Sequence, residues 1–172
     1  VEPQGVRTAD GVLHPLDVLI LATGFNADRF MRPMQIVGQG GVQLEQFWAR
    51  KPHAYYAITM PDFPNLFMLN GPGAPVGNFS LIDVAERQWG YIAQLIEQLD
   101  RGEGRAIAPK HSAVADYGER RDAAARHTIF GSGCSSWYLD SEGVPNLWPW
   151  SYQAFADAMA RPDHAAFELT GG

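Results

Sequence analysis

The sequence has little of what marks a disulfide-stabilised, nucleic-acid-binding or membrane-spanning protein. A single cysteine, Cys134, cannot form an internal disulfide, and it fits a reducing compartment. The 13 Lys and Arg residues are scattered, and the net charge of -6 opposes binding to a phosphate backbone. The longest apolar run, Val18 to Ala22, is far shorter than the roughly 20 residues of a membrane span. We therefore expect a soluble, cytoplasmic protein that binds neither nucleic acid nor membrane.

Three further features are missing. No complete G-x-G-x-x-G pattern follows a strand, because the third glycine is replaced by Gln in GQGGVQ (38–43) and by Ser in GSGCSS (131–136). We found no internal repeats. The histidines other than His127 are isolated in the sequence, so no metal site is expected among His14, His53, His111 and His164.

What is present indicates roughly one domain of the α/β class. With 46% hydrophobic residues, a chain of 172 residues can bury a sizeable core. The run Leu16 to Ala22 is typical of a strand covered on both faces, and Leu66 to Asn70 is predicted to be a second buried strand, so a parallel sheet is expected. Asp10 and Gly11 predict a hairpin turn. Because the chain opens at Val1 inside strand-like sequence, we expect a piece of a longer protein.

The most regular segment is a helix predicted over 81–101, because apolar side chains recur at the 3.6-residue period. Asn78 or Ser80 can cap it, Asp83 lies where a capping-box acid belongs, and Gly102 follows its end. Its apolar face is predicted to comprise Leu81, Ile82, Ala85, Trp89, Ile92, Ile96 and Leu99.

Weaker patterns predict the other segments. Helices are expected over 112–126, with a solvated GERRD stretch, and over 151–160, before Arg161 and Pro162. CSSWYLDSEG (134–143) is predicted to be a short strand that leads into a turn. Residues 25–62 are expected to form a long, irregular connection.

The turn between the second strand and the long helix has the composition of a binding site. Backbone N–H groups at a helix N-terminus carry partial positive charge, and Gly71, Gly73 and Gly77 remove Cβ atoms where a flat or bulky group can approach. The same letters also suit an ordinary turn, because glycine beside proline is common punctuation. The residues alone leave both interpretations open.

Four motifs in order resemble the C-terminal third of the Baeyer-Villiger monooxygenases, within the flavin-containing monooxygenase class. They are DVLILATGF (17–25), FWARKPHAYYAI (47–58), FPNLFMLNGP (63–72) with the AERQ and GYI of the following helix, and CSSWYLDSEG (134–143). The resemblance covers nearly the whole chain. It implies an incomplete α/β part of a flavoprotein with two Rossmann-like domains, one for FAD and one for NADP.

The resemblance also implies a division of the chain. Residues 1–27 would end the NADP-binding domain, 28–62 would be a substrate-side linker, 63–110 would be the C-terminal part of the FAD-binding domain, and 111–172 a C-terminal segment of helices and strands. The pyrophosphate loops and the family's catalytic arginine would lie upstream. We therefore expect the isolated chain to contain no catalytic residue, to bind FAD weakly or not at all, and to be inactive.

The activity that the resemblance implies is NADPH-dependent insertion of one O2 oxygen into a ketone, giving an ester or lactone. Predicted cofactor contacts are Asn70, Gly71, Pro72, Gly73, Phe79 and Trp137, with Trp137 reaching the nicotinamide nucleotide. The predicted ketone-lining residues are Trp48, Tyr55 and Tyr56, for which packing in the core is the alternative. One departure stands out, because the family's turn usually reads GPN and Gly73 replaces the asparagine.

Other functions stay open at this point. The same class of flavoenzyme oxygenates amines and sulfides, and a noncatalytic scaffold of this fold, dimerising through exposed apolar surface, would suit the aromatic content. A cysteine hydrolase built on Cys134 and His127 is disfavoured, because no orienting acid or oxyanion loop is evident.

Overall fold

The computed structural model describes residues 1–24, 29–77, 79–133 and 136–171. Its helices are α1 (Leu44–Phe47), α2 (Leu81–Asp100), α3 (His111–Arg126) and α4 (Tyr152–Ala160). Single 3-10 turns lie at Gln39–Gly41, Ile129–Gly131 and His164–Ala166. The strands are β1 (Gly5–Arg7), β2 (Leu13–Pro15), β3 (Ala106–Pro109) and β4 (Phe167–Thr170).

The strands form two separate antiparallel pairs. In the first, Val6 lies opposite His14, on either side of the turn predicted at Asp10 and Gly11. In the second, Ile107 lies opposite Leu169, which joins the segment after α2 to the end of the chain. Among the described residues there is no parallel sheet, so the sheet expected from the sequence is not found within this chain.

The two predicted buried strands are wrong, and the reason is the same for both. Val18, Ile20 and Leu21 are exposed and not in a strand, and Leu66 to Asn70 makes only an isolated bridge between Phe67 and Thr59. A buried strand needs hydrogen-bonding neighbours on both sides. Among the described residues, backbone pairing is limited to Leu16 with Gln4 in the first run and to Ile58 and Thr59 in the second, so neither run has a strand on each side.

The three predicted helices are confirmed, with bounds that differ by one residue at most at each end. Ser80 caps α2 by accepting from the Asp83 N–H, and Ser151 caps α4 by accepting from the Ala154 N–H at 3.2 Å. Asn78, the other candidate cap of α2, lies outside the described residues. The described part of the predicted connection, residues 29–62, is irregular apart from α1 and the 3-10 turn at Gln39–Gly41. In CSSWYLDSEG, residues 134 and 135 lie outside the described residues, and the rest forms a turn with one bridge, Leu139 to Pro145, where a strand was expected.

The predicted apolar face of α2 is only partly correct. Ile92 is buried, but Ile82 and Trp89 expose 75% and 58% of their surface. The helix turns a different face inward, with Val84, Gln88, Tyr91, Ile92, Leu95 and Gln98 buried. It therefore carries apolar side chains on two faces, one covered and one open.

The core consists of two clusters. The larger packs α2, α3, α4, β3 and β4 around Tyr55 and Trp148. The smaller joins the connection to the segment after it, through Leu44, Trp48, Ala54, Met60, Phe63 and Met68. No helix of the described residues is long and apolar enough to cross a membrane.

Tyr91 provides a test of this core. Its ring is fully buried, burial raises its pKa, and its hydroxyl has no partner among the residues that the structure describes. Removing an unsatisfied buried donor is near neutral or favourable, so Tyr91→Phe should leave the free energy of unfolding unchanged or raise it by up to about 1 kcal/mol. Leu95→Ala, one helical turn away and equally buried, should lower it by about 2–5 kcal/mol. Urea denaturation measures both, and a loss above about 1 kcal/mol in Tyr91→Phe would contradict this packing.

Candidate functional site

The turn predicted to bind a cofactor begins at Asn70, whose backbone is left-handed with φ of 51°. Its N–H donates to Gln88 Oε1 at 2.7 Å, and its side-chain Nδ2 donates to the Leu81 carbonyl at 3.2 Å. Its Oδ1 is buried and has no partner among the described residues. A buried acceptor without a donor is uncommon and is a feature of sites that take a ligand or water.

Gln88 links this turn to the connection that precedes it. The side chain is fully buried on α2, and its Nε2 donates to the Tyr56 carbonyl at 3.3 Å. Tyr56 and Ala57 are also left-handed, with φ of 50° and 61°. Because Gly71 N–H donates to the Ala57 carbonyl at 3.1 Å, two left-handed segments are bonded to each other directly and through one carboxamide.

The glycines of the turn make room for atoms of this chain. A Cβ on Gly71 would lie 2.5 Å from the Ala57 carbonyl oxygen, and one on Gly73 would lie 2.6 Å from Arg121 Nη1. A Cβ on Gly77 would meet the Tyr138 hydroxyl. Residues 71–75 are buried, so the space predicted for a cofactor is filled in these directions by protein. Contact between a cofactor and the turn's backbone stays a prediction.

Gly73 also explains the departure from the family's GPN turn. Asn tolerates the left-handed backbone found here, where φ is 84°, so the backbone alone would permit it. The guanidinium of Arg121 fills the volume that its side chain would need. The side chain of Arg121 therefore leaves room only for glycine at position 73.

The N-terminus of α2 lies at the surface beside an aromatic contact. Phe79 packs edge-on against Tyr152 with ring centroids 5.2 Å apart. The Tyr152 hydroxyl donates to Asp83 and accepts from Arg87 Nε at 2.8 Å. The hydrogen bond from Tyr152, with the Arg87 charge, lowers the pKa of Asp83. An ionised carboxylate therefore already occupies the first turn and offsets part of the helix dipole.

Trp137 lies on the segment that reaches this turn. Half of its surface is exposed, and its indole stacks on Tyr138 with centroids 3.9 Å apart and planes 24° apart. Since the Tyr138 hydroxyl contacts Gly77, the structure brings the predicted nucleotide contact and the predicted flavin turn together. An exposed indole can stack on a planar ligand or donate to it.

The three predicted ketone-lining residues differ in their surroundings. Trp48 is buried, with its indole N–H donating to the His53 carbonyl at 2.8 Å, and Tyr55 is buried among other rings. Burial raises the pKa of Tyr55 far above its usual value, so it is a neutral phenol. Tyr56 alone of the three borders an open cavity, of about 250 Å³, with Tyr117, Arg120, Trp148, Trp150, Ala154 and Ala158. Core packing describes Trp48 and Tyr55, and a substrate contact stays a prediction.

A buried group of charges was not predicted. Lys51 donates to Asp122 at 2.5 Å and to Asp140 at 3.1 Å, and Arg121 donates to Asp122 and to Asn146 Oδ1 at 3.2 Å. Burial acts to raise the pKa of Asp122, but the Lys51 and Arg121 contacts outweigh it and hold that pKa below its usual value. We call this set the charge network. The expectation of a solvated GERRD stretch is wrong for Arg121, whose side chain is fully buried.

A cavity of about 380 Å³ lies beside the charge network, between the connection and α3. His53 lines it, stacked on Phe47 with centroids 4.6 Å apart, and burial lowers its pKa, so it is neutral near pH 7. No group of three or more metal-ligating side chains occurs in the described parts of the chain. Cys134, the nucleophile of the rival hydrolase hypothesis, lies outside them.

No family model matches the chain. Over 151 residues it is 44% identical to an uncharacterized monooxygenase of Mycobacterium tuberculosis, covering 88% of this chain and 30% of that protein. It is 34% identical over 173 residues to the FAD-binding monooxygenase ktnD of Aspergillus niger, covering 97% of this chain and 28% of the relative. Its structure matches that of cyclohexanone monooxygenase from Rhodococcus sp. Phi1 bound to NADP+, with a TM-score of 0.78, 31% identity and coverage of 98% of this chain and 33% of that one.

The chain therefore spans about 30% of the length of the curated relatives it matches. The similarity extends over nearly all of this chain and over a minor part of each relative.

Gly73 and Gly102 form a matched pair for testing the turn. Both have positive φ, but nothing lies within 4 Å of a Cβ on Gly102, whereas Arg121 lies in contact distance of one on Gly73. Gly102→Ala should cost about 1–2 kcal/mol of unfolding free energy from its left-handed backbone alone. Gly73→Ala should cost at least about 1 kcal/mol more, because Asp122 and Asn146 hold Arg121 in place. Equal losses in chemical denaturation would show that Arg121 yields freely.

Proposed function

We propose that this chain, whose homologues are FAD-binding and Baeyer-Villiger monooxygenases, forms the C-terminal part of an NADPH-dependent flavoenzyme that inserts one O2 oxygen into a ketone. The observation that carries the proposal is the match over 98% of the chain to cyclohexanone monooxygenase bound to NADP+. The product would be an ester or lactone. Oxygenation of amines or sulfides by the same class of flavoenzyme is the alternative outcome.

The division of the chain into an NADP-domain end (1–27), a linker (28–62), a part of the FAD domain (63–110) and a C-terminal segment (111–172) belongs to the same proposal. Packing crosses the second of these boundaries, since Trp48 and Met60 share a cluster with Phe63. The linker and the FAD-domain part would therefore move as one piece.

Exposed apolar surface supports a longer protein around this chain. Val18, Ile20 and Leu21 are exposed along one run, and Ile82 and Trp89 are exposed on the outer face of α2. Apolar surface of this extent is normally covered in a soluble protein. In the proposed enzyme the nucleotide-binding domains would cover it, and the exposed run would gain the strand neighbours that it lacks here.

The residues present fit one edge of a flavin site. The Asn70 Oδ1, which is buried and has no donor among the described residues, lies in the same turn as the start of α2, where Leu81 and Ile82 are exposed. FAD bound there, in the form reduced by NADPH, would provide the chemistry that activates O2. The backbone from Asn70 to Gly73 would orient the ring, and the N–H groups of α2 would present about half an elementary charge toward it.

Trp137 and Phe79 would both contact the cofactors at this edge. The indole N–H of Trp137 would donate to the nicotinamide nucleotide, and its ring would exclude water from one side. Phe79, fixed against Tyr152, would add apolar cover beside the turn. In this proposal the catalytic arginine lies upstream of this chain, and Arg121, beside the turn at Gly73, would not take its role because Asp122 and Asn146 hold it.

The full-length protein tests the proposal. Reconstituted with FAD, it should oxidise NADPH in the presence of cyclohexanone and form the seven-membered lactone, which gas chromatography with mass spectrometry identifies. A sulfide such as thioanisole serves as the competing substrate. Sulfoxide without lactone would favour the alternative, and the absence of both products with bound FAD would overturn the proposed activity.

The 172-residue chain by itself should not retain FAD, because its sequence has no complete G-x-G-x-x-G pattern of the kind that forms a pyrophosphate loop. After incubation with micromolar FAD and gel filtration, we expect no flavin absorbance in the protein peak, with the full-length protein as positive control. Stoichiometric flavin in the peak of the short chain would mean that this part carries the main binding site.

A further inference from the structure

We infer that Lys51 is a positioning residue whose ammonium group fixes the loop of residues 136–146 and, through it, the orientation of Trp137. This inference rests on the proposed function, because it assigns Trp137 to the nicotinamide nucleotide. The underlying contacts are independent of that assignment.

Asp140 organises the loop from inside. Its Oδ1 accepts the N–H groups of Glu142 and Val144, both at 2.9 Å, and its own N–H donates to the Val144 carbonyl at 2.9 Å. Its Oδ2 accepts from Lys51 Nζ at 3.1 Å. The Asp140 side chain is only 2% exposed, and among the described residues Lys51 is the cation that contacts it. A buried carboxylate depends on such a partner.

The contacts of Lys51 close a ring. From Asp140 the ring passes through Lys51 to Asp122, and from Asp122 through Arg121 to Asn146. Asn146 belongs to the same loop as Asp140, and its N–H donates to the Tyr138 carbonyl at 2.8 Å. The loop is therefore held at Asp140 and at Asn146 by two cations, Lys51 and Arg121, that share the Asp122 carboxylate.

Tyr138 connects this ring of contacts to Trp137. Tyr138, whose carbonyl accepts from Asn146, stacks on the Trp137 indole and places its hydroxyl against Gly77 of the turn. Because Lys51 lies in the linker and Arg121 in α3, one set of charges connects the linker, α3, the turn and the Trp137 loop. Without the Lys51 charge, the carboxylates of Asp122 and Asp140 lose the cation that they share, and Arg121 balances only one of them. The loop should therefore open.

Arg50 offers a matched control. It pairs with Glu142 of the same loop, but its side chain is 77% exposed, whereas that of Lys51 is 15% exposed. Exposed pairs contribute little because water and salt screen them. Lys51→Met and Arg50→Met thus remove equal charges from adjacent positions that contact one loop, and they differ in burial.

Hydrogen exchange in the 172-residue chain tests the contacts. The Glu142 and Val144 amides should exchange at least about tenfold faster in Lys51→Met than in the parent. Their exchange rates in Arg50→Met should equal those of the parent. Lys51→Arg should restore slow exchange. Parent-like exchange of both amides in Lys51→Met would overturn the inference while leaving the proposed function intact.

NADP+ binding by the full-length protein with FAD tests the consequence. Lys51→Met should weaken NADP+ binding about tenfold without loss of bound FAD, Arg50→Met should bind as the parent does, and Lys51→Arg should recover most of the affinity. An unchanged NADP+ affinity in Lys51→Met, or equal loss of FAD and NADP+, would overturn the positioning role. If the parent itself binds no NADP+, the proposed function fails and the nucleotide half of this inference fails with it, whereas the exchange result still judges the contacts.

Discussion

The buried carboxamide of Gln88 is the contact on which the geometry of the candidate site depends. It bonds the backbones of Asn70 and Tyr56, two residues in left-handed conformations. Such conformations cost about 1–3 kcal/mol in residues other than glycine, and they persist only where the surroundings hold them. Because Gln88 lies on the long helix α2, its side chain, together with the bond from Asn70 Nδ2 to the Leu81 carbonyl, fixes the turn against the helix. The backbone cradle and the dipole that would face a ring are thus one rigid unit.

The charge network performs the corresponding task for the side chains around this unit. Lys51, Arg121, Asp122 and Asp140 balance one another's charge in a largely buried position, where neither sign could remain alone. The network occupies the volume that a side chain at Gly73 would take, so glycine at this position and arginine at 121 depend on each other. The chain departs here from the GPN turn of the family it resembles, and it does so by exchanging a short polar side chain for a buried guanidinium.

Local sequence patterns predicted the helices, whereas the strands and the charge network depend on residues that are distant in the sequence. The periodicity from Leu81 onward, the Ser80 cap and the Asp10 turn are local signals, and the structure confirms them. The two apolar runs did not become strands because a buried strand depends on neighbours on both sides, which the described residues do not provide. The apolar residues of α2 lie on two faces, and periodicity alone could not tell which face this chain covers. The charge network joins Lys51 to partners that are 71 and 89 positions away in the sequence, and no local spacing pattern predicts contacts over that distance. Only Arg121 left a signal, since it recurs with Val114, Tyr117 and Ala125 on the buried face of α3.

We propose that the turn from Asn70 to the first turn of α2 forms one side of a flavin site in a larger enzyme. Amide hydrogen exchange of the full-length protein, compared with and without FAD, addresses it most directly. We expect FAD to slow exchange over residues 70–84, strongest at Gly71, Leu81 and Ile82, while the far end of α2 stays unchanged. If bound FAD protects other parts of the protein and leaves the exchange of residues 70–84 as it was, the turn does not contact the flavin.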